Sequence, residues 1–337
     1  MPRPLIRPFH ADDVPSAAAL LAARHGRDRA RFAFFRGGED QAAAEALIRP
    51  LVANPNAAGV AATRDGRLVG YLFGEKLLFG PTDMMALFLP PHSISMPVEG
   101  SALAEGEDCV SLLREMYAAL ADGWVRAGFL DHTVEIVAGN GDVQEAWVTL
   151  GFGRHITAAT RPTGDAVAGL APATVEVHRA GAEDIGVVMD LARQLNEHHS
   201  LAPMFWPVVH TAEAAARGFN QAVLDANETP FFVAYQRGEP VGLQTFLRPG
   251  FTPGVVDHAN DVYLFEGIVG REARSGGIGT ALLDHSMRWA RDAGFSTCTL
   301  HFAAQNFSGA PFWLGQGFAP ITHTMRRIID HRINWNR

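Results

Sequence analysis

Residues 269–283 read VGREARSGGIGTALL, and the interpretation of that stretch decides the fold. Ahead of it, Val262–Val269 is an apolar run of strand type. Behind it, Ile278, Ala281, Leu282 and Met287 recur near helical spacing until Gly294 stops the pattern. A glycine-rich turn that joins a strand to a helix has a physical use. Glycines let the backbone approach a ligand closely, first-turn N–H groups have no partner inside the helix, and the helix dipole favours an anion. The segment Arg274-Ser275-Gly276-Gly277-Ile278-Gly279-Thr280 is therefore expected to cradle a diphosphate, with Arg271 and Arg274 adding positive charge. The plain alternative is a tight turn with solvated arginines, since the bare Arg-x-x-Gly-x-Gly pattern is weak without its strand–helix context.

Outward from this turn the sequence repeats itself. At an offset of 166, Ala127-Gly128-Phe129 maps onto Ala293-Gly294-Phe295, Asn140 onto Asn306, Trp147 onto Trp313, and Gly151-Phe152 onto Gly317-Phe318. The alternating run Val134, Ile136, Ala138 maps onto Leu300, Phe302, Ala304. Upstream the offset drifts to 171–172, and Asp65–Gly70 answers Arg237–Gly242; both read as hairpin turns between strands. The stretch RPTGDAVAGLAPA, Arg161–Ala173, has linker composition. The chain is thus expected to contain a first unit over 1–162, a linker over 163–173 and a second unit over 174–337. Strands are expected in the second unit near 174–178, 230–236, 240–248, 261–269, 297–303 and 319–329. Helices are expected near 182–197, 211–226, 277–293 and 307–315. The fold class is α+β, twice: each unit a mixed, mostly antiparallel sheet flanked by helices.

The first unit lacks the anion cradle. Where the second has Gly276-Gly277-Ile278-Gly279, the first has Val110-Ser111-Leu112-Leu113, preceded by Glu105, Glu107 and Asp108. Carboxylates there would repel a phosphate, so ligand binding is expected in the second unit only.

Composition narrows the function classes. The chain has 337 residues, enough for two cores, with 47% hydrophobic and 19% charged residues. The net charge of −8, with arginines scattered rather than in tracts, argues against nucleic acid as a partner. Two cysteines, Cys109 and Cys298, have neither metal-ligand nor redox spacing, so no metal is expected. No apolar run reaches the ~18 residues of a membrane span, and the first residues have no signal-peptide core; no membrane association and a cytoplasmic location are the expectations.

With these residues in view, the chain resembles the GNAT family of acyl-CoA-dependent N-acyltransferases in tandem form. Val269–Leu283 carries the family's most specific stretch, and NFSGAPFWLGQGF, Asn306–Phe318, is similar to its Asn…Phe-Tyr…Gly-Phe segment, with Trp313 in the Tyr place. The resemblance covers a degenerate copy and a full one. It implies acetyl-CoA as cosubstrate. Pantetheine would lie in a splay between the strand ending at Val269 and the strand 297–303, on the backbone of Ile268 and Val269. The diphosphate would sit on Arg274–Thr280, and Asn306 would bond the pantetheine arm.

The chemistry then needs a base, because an amine with a pKa near ~10 is mostly protonated at neutral pH. Glu266, three residues before Val269, is the first choice; Asp261 and His301 are runners-up. A backbone N–H near Val269 would hold the oxyanion. Trp313 cannot serve as the acid a tyrosine would supply, and the matching Trp147 points to core packing; Tyr263 on the cofactor strand is the substitute acid. His198 and His199, then Met204, Phe205 and Trp206, are candidates for shaping an acceptor pocket, with solvated or packing roles as the alternative. A basic patch of Arg24, Arg27, Arg29, Arg31 and Arg36 around Phe32, Phe34 and Phe35 reads first as a solvated helix end, with a site for an anionic acceptor or partner as the alternative. The expected activity is acetyl transfer to the primary amine of a small molecule; the rival is a non-catalytic acyl-CoA sensor or scaffold.

Overall fold

The computed structural model describes residues 3–32, 40–169, 171–172, 174–250, 252–254, 256 and 258–336. Phe34, Phe35 and Arg36 lie outside these residues. The first half supplies strands β1 (Leu5–Pro8), β2 (Ala57–Arg64), β3 (Arg67–Leu77), β4 (Ser93–Met96), β5 (Ser101–Leu103), β6 (Asp131–Val137) and β7 (Gly153–Pro162), with helices α1 (Val14–Arg29), α2 (Gln41–Ala53), α3 (Cys109–Arg126) and α4 (Gly141–Thr149). The second supplies β8 (Val175–Arg179), β9 (Phe231–Gln236), β10 (Glu239–Leu247), β11 (Asp261–Val269), β12 (Thr297–Ala303) and β13 (Ala319–Ile328), with α5 (Ile185–Ser200), α6 (Glu213–Ala226), α7 (Ile278–Asp292) and α8 (Gly309–Gly315).

Strand alternation divides each half into two core layers. On β3, Tyr71 and Phe73 pack against α1 and α2, whereas Leu72 faces the layer of α3 and α4. On β10, Leu243 joins the core under α5 and α6, and Phe246 joins the one under α7 and α8. The hairpin turns expected from sequence are both present, as two-residue loops with left-handed backbone at Asp65-Gly66 and Arg237-Gly238. Positive φ at both central positions is the type I′ signature, whose twist matches the flanking strands.

The repeated Asn-x6-Trp-x3-Gly-Phe motif proves to be a helix-capping cassette. Asn140 Oδ1 accepts from Val143 N at the start of α4, and Asn306 Oδ1 accepts from Gly309 N at the start of α8. The glycine, Gly151 or Gly317, sits at positive φ just past the helix end. The following Phe N–H then donates back to the Trp carbonyl, at 3.0 Å for Phe152–Trp147 and 3.1 Å for Phe318–Trp313. Asn and Gly therefore recur for the cap they make at the two ends of a short helix, and Trp and Phe recur as core side chains whose rings pack on each other.

The two units do not keep separate sheets. One continuous sheet runs β1-β2-β3-β4-β6-β13-β7-β12-β11-β10-β9-β8, with β5 paired to β3. Every pairing is antiparallel except β4·β6 and β11·β12. At the centre the last strands are exchanged: β7, from the first half, lies against β12 of the second, and β13, from the second, lies against β6 of the first. Arg161 anchors the exchanged β7. Its buried guanidinium donates to the carbonyls of Gln316 (2.7 Å), Asp165 (2.7 Å) and Ala166 (3.2 Å) and lies over the Phe318 ring. The linker is packed rather than free, since Ala168 exchanges two hydrogen bonds with the Gln316 side chain.

Some expectations need correction. The first helix of the second unit continues to Ser200, so His198 and His199 are its last turn rather than a following loop. Arg24 is not part of a solvated helix end; it turns inward and donates to the carbonyls of Val98 (2.7 Å) and Ser101 (2.5 Å). Cys109 is half-buried and Cys298 buried, both as free thiols.

Candidate active site

A cleft of about 810 Å³ opens where β11 leaves β12. The two strands pair in parallel only from Asp261–Thr297 to Leu264–Leu300, whereas β11 stays paired to β10 as far as Val269. The edge of β11 beyond Leu264 therefore faces open space. A register slip between Thr245 and Phe246 leaves Phe265 as an extra residue on β11, a bulge that re-aims the side chains around it. Phe265 packs edge-on against Phe88 of the first half (5.4 Å) and Phe219 (5.8 Å). The Trp313 indole lies over Gly267 so closely that a Cβ there would meet it at 2.9 Å. Trp313 is thus a wall of the cleft as well as core, whereas its counterpart Trp147 is fully enclosed.

The glycine-rich turn sits at one end of this cleft. Ser275 and Gly277 adopt left-handed φ of +64° and +76°, and no side chain caps α7. Its first-turn N–H groups, from Ile278, Gly279 and Thr280, are left for an incoming acceptor of hydrogen bonds. Ser275, Gly277, Ile278, Gly279 and Thr280 line the cleft, while Gly276 and Arg271 are exposed at its rim. A Cβ at Gly279 would meet Phe312 at 3.2 Å, which explains the second glycine of the motif sterically. The first half contrasts at the equivalent helix. Asp108 caps α3 by accepting from Ser111 N (3.1 Å) and Ser111 Oγ (2.6 Å), so a carboxylate occupies the place an anion would take.

Arg274 curls back into the cleft. Its Nε donates to Val269 O at 3.1 Å and its Nη1 lies 3.4 Å from His198 Nδ1. His198 Nε2 in turn lies 3.3 Å from Ser308 Oγ and 3.5 Å from Asn306 Oδ1. His198 thus bridges the turn and the start of α8 instead of standing in solvent; burial first, then the Arg274 charge, lower its pKa. Asn306 Oδ1 is already shared among Ser308 N, Ser308 Oγ and Gly309 N, so Asn306 offers a ligand its Nδ2 donors. His199 is pushed down to a pKa of about 4 by burial and meets Trp206 in a tilted ring contact at 4.9 Å. Trp206 also meets His155 of β7 at 5.3 Å. Both histidines and Trp206 line the cleft; Phe205 does not, being 72% exposed.

Among the acid–base candidates, Glu266 stands out. It lines the cleft, yet its Oε2 is buried with no hydrogen-bond partner, and burial raises its pKa from 4.5 to about 7. Its own N–H donates to Thr245 Oγ1. Asp261 is elsewhere: at the start of β11, fully buried, its carboxylate accepts from the hydroxyls of Thr252, Thr297 and Thr299. His301 does line the cleft, 2.9 Å from the Tyr263 hydroxyl, but burial holds its pKa at about 4 and leaves it neutral. Burial also pushes the Tyr263 hydroxyl well above its usual range, so it stays protonated.

Sequence reasoning missed the other end of the cleft. Thr133, Glu135, His155, Ile156, Thr324 and Arg326, together with the apolar segment Met85–Pro90, line it from the exchanged strands and the first half. No local motif marks them; they meet only because β7 and β13 cross over. Among the described residues, no group of His, Cys, Asp and Glu is placed to hold a metal, and no helix is long and apolar enough to cross a membrane.

Residues 195–318 match the model of the acetyltransferase (GNAT) family. No curated protein matches the chain. Among solved structures, a GCN5-related N-acetyltransferase from Sphaerobacter thermophilus is similar at TM-score 0.60 and 14% identity, covering 97% of this chain and 96% of that one. A tandem GNAT protein from the clavulanic acid biosynthesis pathway gives TM-score 0.52 and 16% identity, over 96% and 98% of the two chains. A fungal GCN5-related glucosamine N-acetyltransferase region gives TM-score 0.55 and 9% identity, over 97% of this chain and 38% of that one. At these identities the likeness is one of fold.

Proposed function

From a chain whose residues 195–318 match the acetyltransferase (GNAT) family model, we propose an N-acetyltransferase that moves the acetyl group of acetyl-CoA to the primary amine of a small molecule, with the chemistry in the second half. Residues 1–162 are then a degenerate copy, 163–173 a linker and 174–337 the catalytic unit. The observation that carries the reading is Glu266: a carboxylate with an unpartnered buried oxygen, on the open edge of β11, in the same cleft as the uncapped turn of α7.

The residues fit the cosubstrate. The backbone of Ser275 and Gly277–Thr280 suits the diphosphate, with Arg271 and Arg274 adding charge at the rim and inside. The free edge of β11 at Ile268 and Val269 and the Asn306 amide suit the pantetheine arm, and Trp313 packs beside it. Bound there, acetyl-CoA supplies an activated acyl thioester. Glu266, ionised at neutral pH in about half the molecules or more, accepts the proton of the acceptor ammonium, directly or through water. A base poised near neutrality holds the proton well enough to take it and weakly enough to release it. The backbone N–H near Val269 is the donor for charge developing on the acyl oxygen. No titratable group stands at Trp313, and a thiolate with a pKa near ~8.5 departs without an acid; Tyr263 is protonated but hydrogen-bonded to His301.

The Trp313 wall is also what favours the rival reading, a non-catalytic acyl-CoA sensor. Thiol release from acetyl-CoA across an amine panel separates the two: the enzyme turns over with at least one amine, the sensor with none. Calorimetric titration should give one acetyl-CoA site per chain, and two equal sites would contradict the degenerate role of the first half.

A further inference from the structure

The internal repeat places two polar pairs on equivalent strand positions. The offset of 166 carries His301 onto Glu135. Matching the two parallel pairings, Ser95 beside Thr133 and Tyr263 beside Thr299, carries Tyr263 onto Ser95. All four residues line one cleft. Only β7 and β13 separate β12 from β6, so the pairs face each other across three strand steps of ~4.8 Å, roughly 14 Å along the sheet. Between them the register Glu135–Thr324–Ile156–Ala303 puts these side chains on the same face, the floor of the cleft. Glu135 stands at the first-half end of this floor, and Glu266, three residues beyond Tyr263 on β11, lines the second-half end of the same cleft.

The Glu135 end is short of positive charge. Glu135 Oε1 accepts from Thr322 Oγ1 at 2.6 Å, but among the described residues Glu135 forms no ion pair. The nearby cations are committed elsewhere: Arg326 forks onto Asp131, with Nε–Oδ1 at 2.8 Å, and Arg24 is held by the Val98 and Ser101 carbonyls. His155, beside it in the cleft, is neutral. Burial first, and then the neighbouring Glu99 carboxylate, raise the Glu135 pKa to about 7, while the Thr322 hydroxyl, the Arg24 charge and the Val98 N–H oppose them; a ligand ammonium placed against Glu135 would favour its ionised form. The walls between the two ends are apolar: Leu77, Met85, Leu87 and Phe88 from the first half, with Phe88 packed on Phe265.

We propose that the first half has become the acceptor subsite, and that Glu135 is its specificity-determining residue, binding the second cationic nitrogen of an extended aliphatic di- or polyamine whose other amine reaches Glu266. This rests on the acetyl-transfer reading for the identity of the reacting end. The methylene spacer lies along the Met85–Phe88 wall, and charge at the far end selects against monoamines.

The test is calorimetric titration of spermidine and hexylamine into full-length protein saturated with CoA. Spermidine should bind about 10-fold or more tighter than hexylamine. Glu135→Gln should erase that difference and Glu135→Asp should keep part of it. Equal binding of spermidine and hexylamine by the wild type, or a preference that survives Glu135→Gln, overturns the proposal. Should Glu135→Gln fail to fold, Thr322→Val, which removes the hydroxyl orienting the carboxylate, should weaken spermidine several-fold; no change overturns it equally. Turnover is read separately. Spermidine binding through Glu135 without acetyl transfer refutes the enzyme and leaves the subsite; turnover of monoamines and spermidine at equal kcat/KM refutes the subsite and leaves the enzyme.

Discussion

Replacing Glu266 by Gln perturbs two quantities in opposite directions. Burial raises the folded-state pKa of Glu266 from 4.5 to about 7. Below pH 4.5 the carboxyl is protonated folded or unfolded and contributes no difference. As pH rises from 4.5 to about 7 the unfolded chain ionises first, so the folded state loses stability; above that window the loss is constant. At ~1.4 kcal/mol per pKa unit the full cost at pH 8 is about 3 kcal/mol, and cleft water that screens the charge brings it to about 1 to 3 kcal/mol. Gln carries no charge, keeps nearly the same volume and avoids that cost. Glu266→Gln is therefore expected to raise the melting temperature at pH 8 by roughly 1 to 4 °C and to leave it unchanged at pH 4. Activity should move the other way: kcat/KM for the best amine should fall about 10²- to 10⁴-fold, and the break near pH 7 in its pH profile should vanish. Scanning calorimetry at the two pH values and a thiol-release assay from pH 5.5 to 9 measure both. A variant that melts lower than wild type at pH 8, or that keeps more than a tenth of kcat/KM with the break near pH 7 intact, refutes the assignment of Glu266 as the base.

Three further outcomes are expected. Gly277→Glu forces a side chain into a φ of +76° and puts negative charge in the cradle, and Gly279→Glu adds charge and a contact with Phe312; either should reduce acetyl-CoA binding at least ~100-fold by calorimetry while circular dichroism is unchanged. Arg161→Ala leaves the carbonyls of Gln316 and Asp165 without their donor and loosens the exchanged β7; it should cost about 3 kcal/mol or more in a denaturant titration that still shows one transition for both halves. Trp206→Ala removes the ring between His199 and His155 and should raise the acceptor KM about 10-fold with acetyl-CoA affinity unaltered.

The parts of the fold that were legible in the sequence are those with local causes. The Asp65-Gly66 and Arg237-Gly238 hairpins could be read because only certain residues tolerate a type I′ turn. The Gly277 turn could be read because a helix start that follows a strand with left-handed backbone and no side-chain cap favours glycine. Helix limits were less legible: α5 runs on to Ser200 because His198 is held in its last turn by Arg274 and Asn306, both distant in sequence, and His199 by Trp206 beyond the helix end. Asn306 and Trp313 were singled out from a motif, but the capping duty of Asn306 and the contact of Trp313 with Gly267 appear only when α8 is laid on the strands.

Sequence alone determined that this chain is a doubled unit, that its second copy has a glycine-rich turn at a helix start, and that its first copy has a carboxylate there instead. Each follows from the backbone preferences of a few consecutive residues. Tertiary structure alone decided that β7 and β13 trade places. A strand's side chains alternate in the same way whichever neighbour it pairs with, so an amphipathic pattern does not name the partner. That exchange joins two sheets into one and gives the cleft a floor from both halves. It is also why Glu135 and Glu266, in copies that look independent along the chain, end in the same cavity.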